Sequence, residues 1–211
     1  MKSTSTAGII LSGGRSRRMG SDKACIDLCG LTALERVYQS LATVVNHIVI
    51  SCRSDQELNP PGNRAVFRYD ELPEIGPLGG LIGSFRHLRD AGYASAIIAA
   101  CDQPLVSPDV FSMLQDSLAS IDASDGATCV ALTDATGIHP FPGIYDLHCL
   151  ELMERNVSVG NYRLLDWLSG CNPLLQGEAH IRTVDADMHC LINMNAPAQV
   201  ERIRRILQCD A

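Results

Sequence analysis

The sequence lacks the features that mark membrane proteins and general nucleic-acid binders. None of its apolar runs reaches the roughly 18 residues that a membrane-spanning helix needs, and the N-terminal apolar run is too short for a secretory signal. Positive charge is scarce, since 17 Lys and Arg stand against 24 Asp and Glu and give a net charge of −7. Such a balance disfavours general nucleic-acid binding. We expect a cytoplasmic protein with neither a membrane nor a nucleic acid as its partner.

The cysteine spacing lacks the patterns of metal clusters and disulfide frameworks. The chain has nine cysteines, which is an odd number, and no Cys-x-x-Cys pair. Most of them lie within apolar runs, where a reduced cysteine behaves as a small hydrophobic residue. A metal cluster or a disulfide framework is therefore disfavoured. Buried packing is the expectation for Cys25 and Cys29 as well.

What the chain does have is a regular alternation of apolar runs with amphipathic stretches. Its hydrophobic content, 46% of 211 residues, suits one domain with a sizeable core. The alternation predicts an α/β fold, with a Rossmann-like, mostly parallel sheet flanked by helices on both faces. In such sheets, ligands bind beyond the carboxyl ends of the strands. The residues that directly follow each strand therefore carry the most functional information.

The individual elements follow from periodicity and from turn and capping residues. In the first half, strands are predicted at 7–11, 47–51, 65–69 and 94–100. Helices are predicted at about 33–44, after a Thr32-x-x-Glu35 capping box, at 78–89, and from Ser107 and Pro108 onward. In the second half, strands are predicted at 126–132, 141–145, 181–184 and 191–194, and helices at 147–155, 162–168 and 197–207.

The first predicted strand ends in a loop rich in glycine and arginine. Leu11-Ser12-Gly13-Gly14 is followed within ten residues by Arg15, Arg17, Arg18 and Lys23. Adjacent glycines let backbone N–H groups approach a ligand closely, and clustered cations suit a polyphosphate. The P-loop and Rossmann fingerprints do not fit, because the Gly-Lys-Ser/Thr ending and the third glycine are missing. A basic surface loop without a ligand is the alternative.

Two aspartates follow predicted strands at the same edge of the sheet. Asp102, beside a polyphosphate, could hold Mg²⁺, which takes one or two carboxylates together with phosphate oxygens. Asp70 is followed by Gly76-Pro77-Leu78-Gly79-Gly80, whose glycines permit close approach to a base or ribose. The alternatives are a loop aspartate that caps a turn and a glycine loop with its own turn chemistry.

Five segments, in this order, resemble the signature of the MobA-type molybdenum cofactor guanylyltransferases, and together they span nearly the whole chain. They are Leu11–Lys23, Asp70 with Gly76–Gly80, Cys101-Asp102-Gln103-Pro104, His139-Pro140, and Asn193-Met194-Asn195-Ala196-Pro197. The resemblance implies Mg²⁺-dependent transfer of GMP from GTP to the terminal phosphate of molybdopterin, which forms the guanine dinucleotide cofactor and pyrophosphate. The attacking phosphate, with a second pKa of about 6, is already ionised and needs no general base.

The resemblance also implies a role for individual residues. Arg18, Lys23 and Asp102 would be catalytic, with Asp102 as the Mg²⁺ ligand. The acceptor-side candidates are His139, Asn193 and Asn195. The nucleotide-binding residues would be Leu11, Ser12, Gly13, Gly14, Lys23, Asp70, Gly76, Pro77, Leu78 and Asp102.

Residues 1–211 are treated as one nucleotidyltransferase domain. Its nucleotide-binding half is placed at about 1–110 and its acceptor-substrate half at about 111–211. The resemblance implies transient contacts with the proteins that deliver molybdopterin and mature molybdoenzymes.

The sequence departs from the family pattern at several positions. Ser12 stands where alanine is usual and Gly79 replaces an alanine; both changes are small and expected to be tolerated. Relatives often carry a nucleotide-contacting asparagine where this chain has Ser51-Cys52-Arg53-Ser54, and Ala196 and Gln199 replace a threonine and an acidic residue. These departures bear on base selectivity and pterin contacts more than on catalysis.

Two alternatives remain open at this point. The first is a molybdopterin cytidylyltransferase or another small-molecule nucleotidyltransferase, such as a sugar-phosphate enzyme; Gln103 is familiar from cytidylyl relatives, whereas Leu11-Ser12-Gly13-Gly14 favours guanine. The second is a nucleotide-binding regulator without turnover, against which Lys23 and Asp102 argue.

Overall fold

The computed structural model describes residues 5–13, 22–72, 75–122 and 126–208. Its strands are β1 (Thr6–Leu11), β2 (Ile48–Cys52), β3 (Ala65–Tyr69), β4 (Ser95–Ala100), β5 (Cys129–Asp134), β6 (Gly137–Asp146) and β7 (Pro173–Gln176). Its helices are α1 (Ala33–Leu41), α2 (Pro77–Asp90), α3 (Pro108–Ala119), α4 (Cys149–Ser158), α5 (Leu164–Gly170), α6 (Glu178–Ile181) and α7 (Pro197–Ile206). Among the described residues, 3₁₀ turns include Lys23–Cys25 and His189–Leu191.

The strands form one sheet in the order β3-β2-β1-β4-β6-β5-β7. Strands β1 to β4 are mutually parallel, whereas β6 runs antiparallel to both β4 and β5, and β7 is parallel to β5. The chain moves outward from β1 to β2 and β3, then returns to place β4 on the other side of β1. This reversal creates a crevice beyond the carboxyl ends of β1 and β4, which is where open α/β sheets bind ligands.

Helices cover both faces of the sheet, as the sequence predicts. Because successive strand residues point to opposite faces, Ile10 packs into one core with α1 and α3, whereas Ile9 packs into the other with α2, α4 and α5. A smaller cluster, which includes Leu28 and Met194, attaches α7 to the edge of the domain. None of the described helices is both long and apolar enough to cross a membrane.

The predicted elements of the first half are confirmed to within a few residues. The capping box at Thr32 is formed: Glu35 N–H donates to Thr32 Oγ1 at 3.2 Å, and Thr32 N–H donates to Glu35 Oε2 at 2.7 Å. In the second half, the strands predicted at 181–184 and 191–194 are wrong. Ile181 ends α6, and Leu191 ends a 3₁₀ turn. The seventh strand is β7, which the sequence analysis missed.

The cysteines match the expectation only in part. Of the residues that the structure describes, seven cysteines carry free thiols, and six of these are buried. Cys25 and Cys29 are exposed rather than buried, and Cys29 is disulfide-bonded. Cys25 is exposed because it ends a single 3₁₀ turn whose inward-facing residue is Ala24.

Candidate active site

The site begins where β1 and β4 end side by side. Cys101 N–H donates to the carbonyl of Leu11 at 3.0 Å, and Ser12 N–H donates to the carbonyl of Ser51 on β2 at 2.8 Å. The segment Leu11–Gly13 is thus fixed between two neighbouring strands at the crevice. Burial raises the pKa of the Cys101 thiol to about 12, so this side chain stays protonated below the site.

Lys23 and Asp102 form an ion pair in this crevice. The Nζ atom of Lys23 lies 3.0 Å from Asp102 Oδ2, and each side chain keeps about a fifth of its surface exposed. Lys23 starts a 3₁₀ turn that Asp22 caps, since Ala24 N–H donates to Asp22 Oδ1 at 3.0 Å. The two residues that the sequence assigns to phosphate and to metal are therefore brought together.

The C-terminal Asn-Pro motif reaches the same pair. Asn195 Oδ1 accepts a hydrogen bond from Lys23 Nζ, and Met194 N–H donates to the carbonyl of Asp102 at 2.7 Å. Gln199 Oε1 accepts from the N–H of Asn195 at 2.7 Å and holds this segment in place. The structure thus places Asn195 against Lys23, whereas Asn193 donates to the nearby carbonyl of Leu191 at 3.4 Å.

Asp70 lies at the same edge of the sheet but on the far side of β1. Three strand spacings separate β3 from β4, which corresponds to about 14 Å. Asp70 Oδ1 accepts a hydrogen bond from Leu72 N–H at 2.8 Å. Burial raises the pKa of Asp70, and that hydrogen bond offsets part of the effect. The arrangement suits a nucleoside near Asp70 and phosphates near Lys23.

The glycine segment after Asp70 forms the start of α2. Gly76 precedes the helix with φ of +70°, a backbone conformation in which glycine is favoured because a Cβ is strained there. Pro77 occupies the first helical turn, where its missing N–H costs nothing. Leu78 packs with its side chain fully buried in the core, so it offers a ligand only its backbone.

Gly79 is required by the approach of the Asp70 loop to α2. A Cβ at this position would lie 2.5 Å from Asp70 Oδ1 and would also overlap the carbonyl oxygen of Leu72. Alanine, which is usual at this position in the family pattern, does not fit in this chain without displacing the backbone. The departure at Gly79 and the position of Asp70 are therefore linked.

Replacing Gly79 by alanine is expected to destabilise the protein by about 1–3 kcal/mol, because the overlap forces the Asp70 loop to move. The matched control is Gly83→Ala on the same helix, where a Cβ meets nothing within 4 Å. That change should stabilise the protein by about 0.5–1 kcal/mol through helix propensity. Denaturant unfolding measures both free energies. Equal effects of the two substitutions would show that the Asp70 loop does not require glycine at position 79.

Of the acceptor-side candidates, His139 lies on the hairpin formed by β5 and β6, whereas Asn193 and Asn195 lie in the C-terminal motif described above. The tip of the hairpin extends past the carboxyl end of β4, because the antiparallel pairing of β4 with β6 stops at Ile98 and Gly143. His139 Nε2 lies 3.0 Å from Asp134 Oδ1. Hydrogen bonds from Thr136 and His139 hold the pKa of Asp134 well below its usual range.

Gln103 connects the hairpin to the ion pair. It directly follows Asp102, and its Nε2 atom donates to the carbonyl of Phe141 on β6 at 2.8 Å. The side chain is 3% exposed. The structure therefore ties the β5–β6 hairpin to the loop that carries Asp102.

Sequence reasoning missed a group of polar residues behind the loop that follows β1. Gln56 contacts both Ser12 and Asp22, and Arg53 donates to the carbonyl of Gly13 at 3.4 Å. Gln56 stands in a loop with no motif around it, so nothing in the sequence marked it. The predicted site residues Gly14 and Arg18, and the loop arginines Arg15 and Arg17, lie outside the described residues.

The oxygen donors fit a magnesium ion that is held jointly with a substrate. Among the described residues, no group of three or more His, Cys, Asp or Glu side chains could hold a metal alone. Mg²⁺ is commonly bound by one or two carboxylates, with phosphate and water oxygens completing its shell. Asp102 supplies one such carboxylate at the edge where phosphates would lie.

Comparison with known proteins places this geometry in a family. The model of the MobA-like NTP transferase domain matches residues 8–173. The chain belongs to the MobA-like NTP transferase family. A molybdenum cofactor guanylyltransferase from Cereibacter sphaeroides is 31% identical over 206 residues, which cover 97% of this chain and 98% of the relative. One from Desulfosudis oleivorans is 29% identical over 196 residues, covering 92% of each chain.

Solved structures share the fold of this MobA-like transferase. The molybdopterin-guanine dinucleotide biosynthesis protein A of Archaeoglobus fulgidus superposes with a TM-score of 0.76 at 24% identity, covering 96% of this chain and 98% of that one. A 4-diphosphocytidyl-2C-methyl-D-erythritol synthase from Anaerococcus prevotii gives 0.68 at 12% identity, covering 97% and 96%. The resemblance and the α/β fold expected from the sequence are confirmed, and the chain is a nucleotidyltransferase.

Proposed function

We propose that this chain transfers GMP from GTP to the terminal phosphate of molybdopterin and releases pyrophosphate. The observation that carries the proposal is the Lys23–Asp102 pair, 3.0 Å apart, beside Leu11–Gly13 at the switch point of the sheet. Relatives that carry the name molybdenum cofactor guanylyltransferase align along nearly the whole chain. They support the choice of both substrates.

The chemistry asks the protein mainly for charge neutralisation and positioning. An anionic phosphate approaches the α-phosphorus of an anionic nucleotide, and neither partner needs a proton removed near neutral pH. Lys23 exchanges its carboxylate partner for phosphate oxygens and neutralises charge that develops during the transfer. Asn195 holds the lysine while that exchange takes place.

Mg²⁺ would be held by Asp102 together with phosphate oxygens, and when bound it supplies Lewis-acid stabilisation of the phosphoryl oxygens. Asp70 takes the nucleoside side, where its carboxylate oxygens can accept hydrogen bonds. The residues before about 110 then form the nucleotide half. The β5–β6 hairpin with His139, and Asn193 near the C-terminal motif, belong to the acceptor half at about 111–211.

The decisive experiment supplies the purified protein with Mg²⁺, a molybdopterin-loaded carrier and each nucleoside triphosphate in turn, and follows dinucleotide products by mass. We expect the guanine dinucleotide with GTP, and a larger rise in melting temperature with GTP than with CTP or UTP. A cytosine dinucleotide would establish the cytidylyl alternative instead. Nucleotide binding without any product would favour a regulator.

A further inference from the structure

Gln56 connects the two ends of the segment between Ser12 and Asp22. Its Nε2 atom donates to the carbonyl of Ser12 at 2.9 Å and to Asp22 Oδ2 at 2.6 Å. Its Oε1 atom accepts from the N–H of Arg53 at 2.7 Å. A carboxamide has two donor hydrogens and one acceptor oxygen, and this side chain uses all three functions.

The contact to Asp22 leads directly to the ion pair. Asp22 uses its other carboxylate oxygen to cap the 3₁₀ turn that begins at Lys23. Ser12, in turn, is fixed to β2 through its N–H bond to Ser51. Gln56 therefore joins the lysine turn to the rigid end of the sheet, and Arg53 adds an ion pair to Asp22 at 3.9 Å.

We infer that Gln56 is a positioning residue for nucleotidyl transfer, because its carboxamide fixes the Lys23 turn against the loop that follows β1. The inference rests on the proposed function, since the transfer is what positioning of Lys23 would serve. The Gln56 side chain bonds to Ser12, Asp22 and Arg53, and it acts on Lys23 through Asp22. Misplacing a charged group by about 1 Å can cost a transfer reaction about a hundredfold in rate.

Gln56→Glu tests this role with almost no change in shape. The carboxylate cannot donate to Ser12, and it places a second negative charge beside Asp22. We expect kcat for GMP transfer to fall by about 10- to 100-fold, with exchange of the Ala24 and Cys25 amide hydrogens faster by about tenfold without nucleotide. The control is Gln176→Glu. Gln176 lies on the edge strand β7, at the opposite edge of the sheet from β3, and its carboxamide donates to Ser117 on α3. This substitution should leave both readouts unchanged.

A second variant separates positioning from a general loss of stability. Combining Gln56→Glu with Asp22→Asn makes the donor and the acceptor exchange places. The amide introduced at position 22 can donate to the carboxylate introduced at position 56, while its oxygen still caps Ala24. Because the carboxylate at position 56 still cannot donate to the carbonyl of Ser12, this double variant should recover only part of the lost rate, and its amide exchange should be slower than in Gln56→Glu alone. Wild-type kinetics for Gln56→Glu, or no recovery in the double variant, would overturn the inference.

The two proposals fail in different ways. If the wild-type protein makes no dinucleotide, the proposed function is wrong, and the amide exchange of residues 22–25 still decides whether Gln56 holds the lysine turn. If the amide hydrogens of Ala24 and Cys25 exchange at the same rate in Gln56→Glu as in the wild type, Gln56 does not hold the Lys23 turn, whether or not the protein transfers GMP.

Discussion

Asp102→Asn is expected to lower the rate of GMP transfer by about a thousandfold, which is the scale of removing one preorganised electrostatic group from an active site. The substitution keeps the shape of the side chain and removes its charge, so it removes both the partner of Lys23 and the carboxylate proposed for Mg²⁺. The main-chain bond from Met194 to the carbonyl of residue 102 is unaffected, which should preserve the fold. Release of pyrophosphate at saturating GTP and Mg²⁺ measures the rate, and thermal unfolding checks the fold.

The matched control for this substitution is Asp109→Asn. Asp109 lies in the first turn of α3 and is close in sequence to Asp102. Its replacement should change the rate by less than about twofold, as is usual for a side chain outside the site. Retention of more than about a tenth of the wild-type rate in Asp102→Asn would remove Asp102 from the metal and phosphate site.

Lys23→Met should lower the transfer rate by about 100- to 1,000-fold, because the phosphate charge would lose its fixed cation. Lys23→Arg should restore only part of the rate, since a guanidinium is larger and planar and binds oxygens as a fork rather than as a point charge. The chain contains only two lysines, Lys2 and Lys23. Modification by an amine-specific reagent can therefore be followed at Lys23, and GTP should protect it.

The Asp102→Asn/Lys23→Met double variant should transfer GMP at a rate within about tenfold of the slower single variant. The reason is that the effects of residues that act as a unit are not additive. Losses that multiply would mean that the two side chains serve separate steps. If GTP does not protect Lys23 from the amine reagent in an enzyme that transfers GMP at the normal rate, Lys23 does not bind the phosphates.

The fold was predictable from the sequence wherever capping or turn residues mark the start of an element. The capping box at Thr32 and the Ser107-Pro108 start of α3 set boundaries that the structure confirms. The run at 181–184 misled because a short apolar stretch fits a strand and a helix equally well. β7 was missed because it begins with Pro173, and a proline is tolerated in a strand only at an edge or at its first residue, both of which apply here.

For the candidate site, the strand-end rule predicts individual residues but not the contacts between distant parts of the chain. The rule that ligands bind beyond the carboxyl ends of parallel strands selects Leu11–Gly13, Asp70 and Asp102 from the sequence alone. The contact between Lys23 and Asn195 joins residues 172 positions apart, and that of Gln56 with Ser12 joins residues 44 apart. Such contacts depend on how loops meet in three dimensions, and no local pattern encodes them.

The reversed direction of β6 sets the hairpin that carries His139 apart from the parallel strands β1 to β4. Strands β1 to β4 deliver their carboxyl ends to the crevice, but β6 enters it with its amino end, as part of a hairpin that crosses the edge and returns. Residues 134–142 can therefore change in length or composition without shifting the register of β1 to β4, the strands of the proposed nucleotide half. A graft of this hairpin between relatives should transfer acceptor preference while the nucleotide preference stays with the recipient.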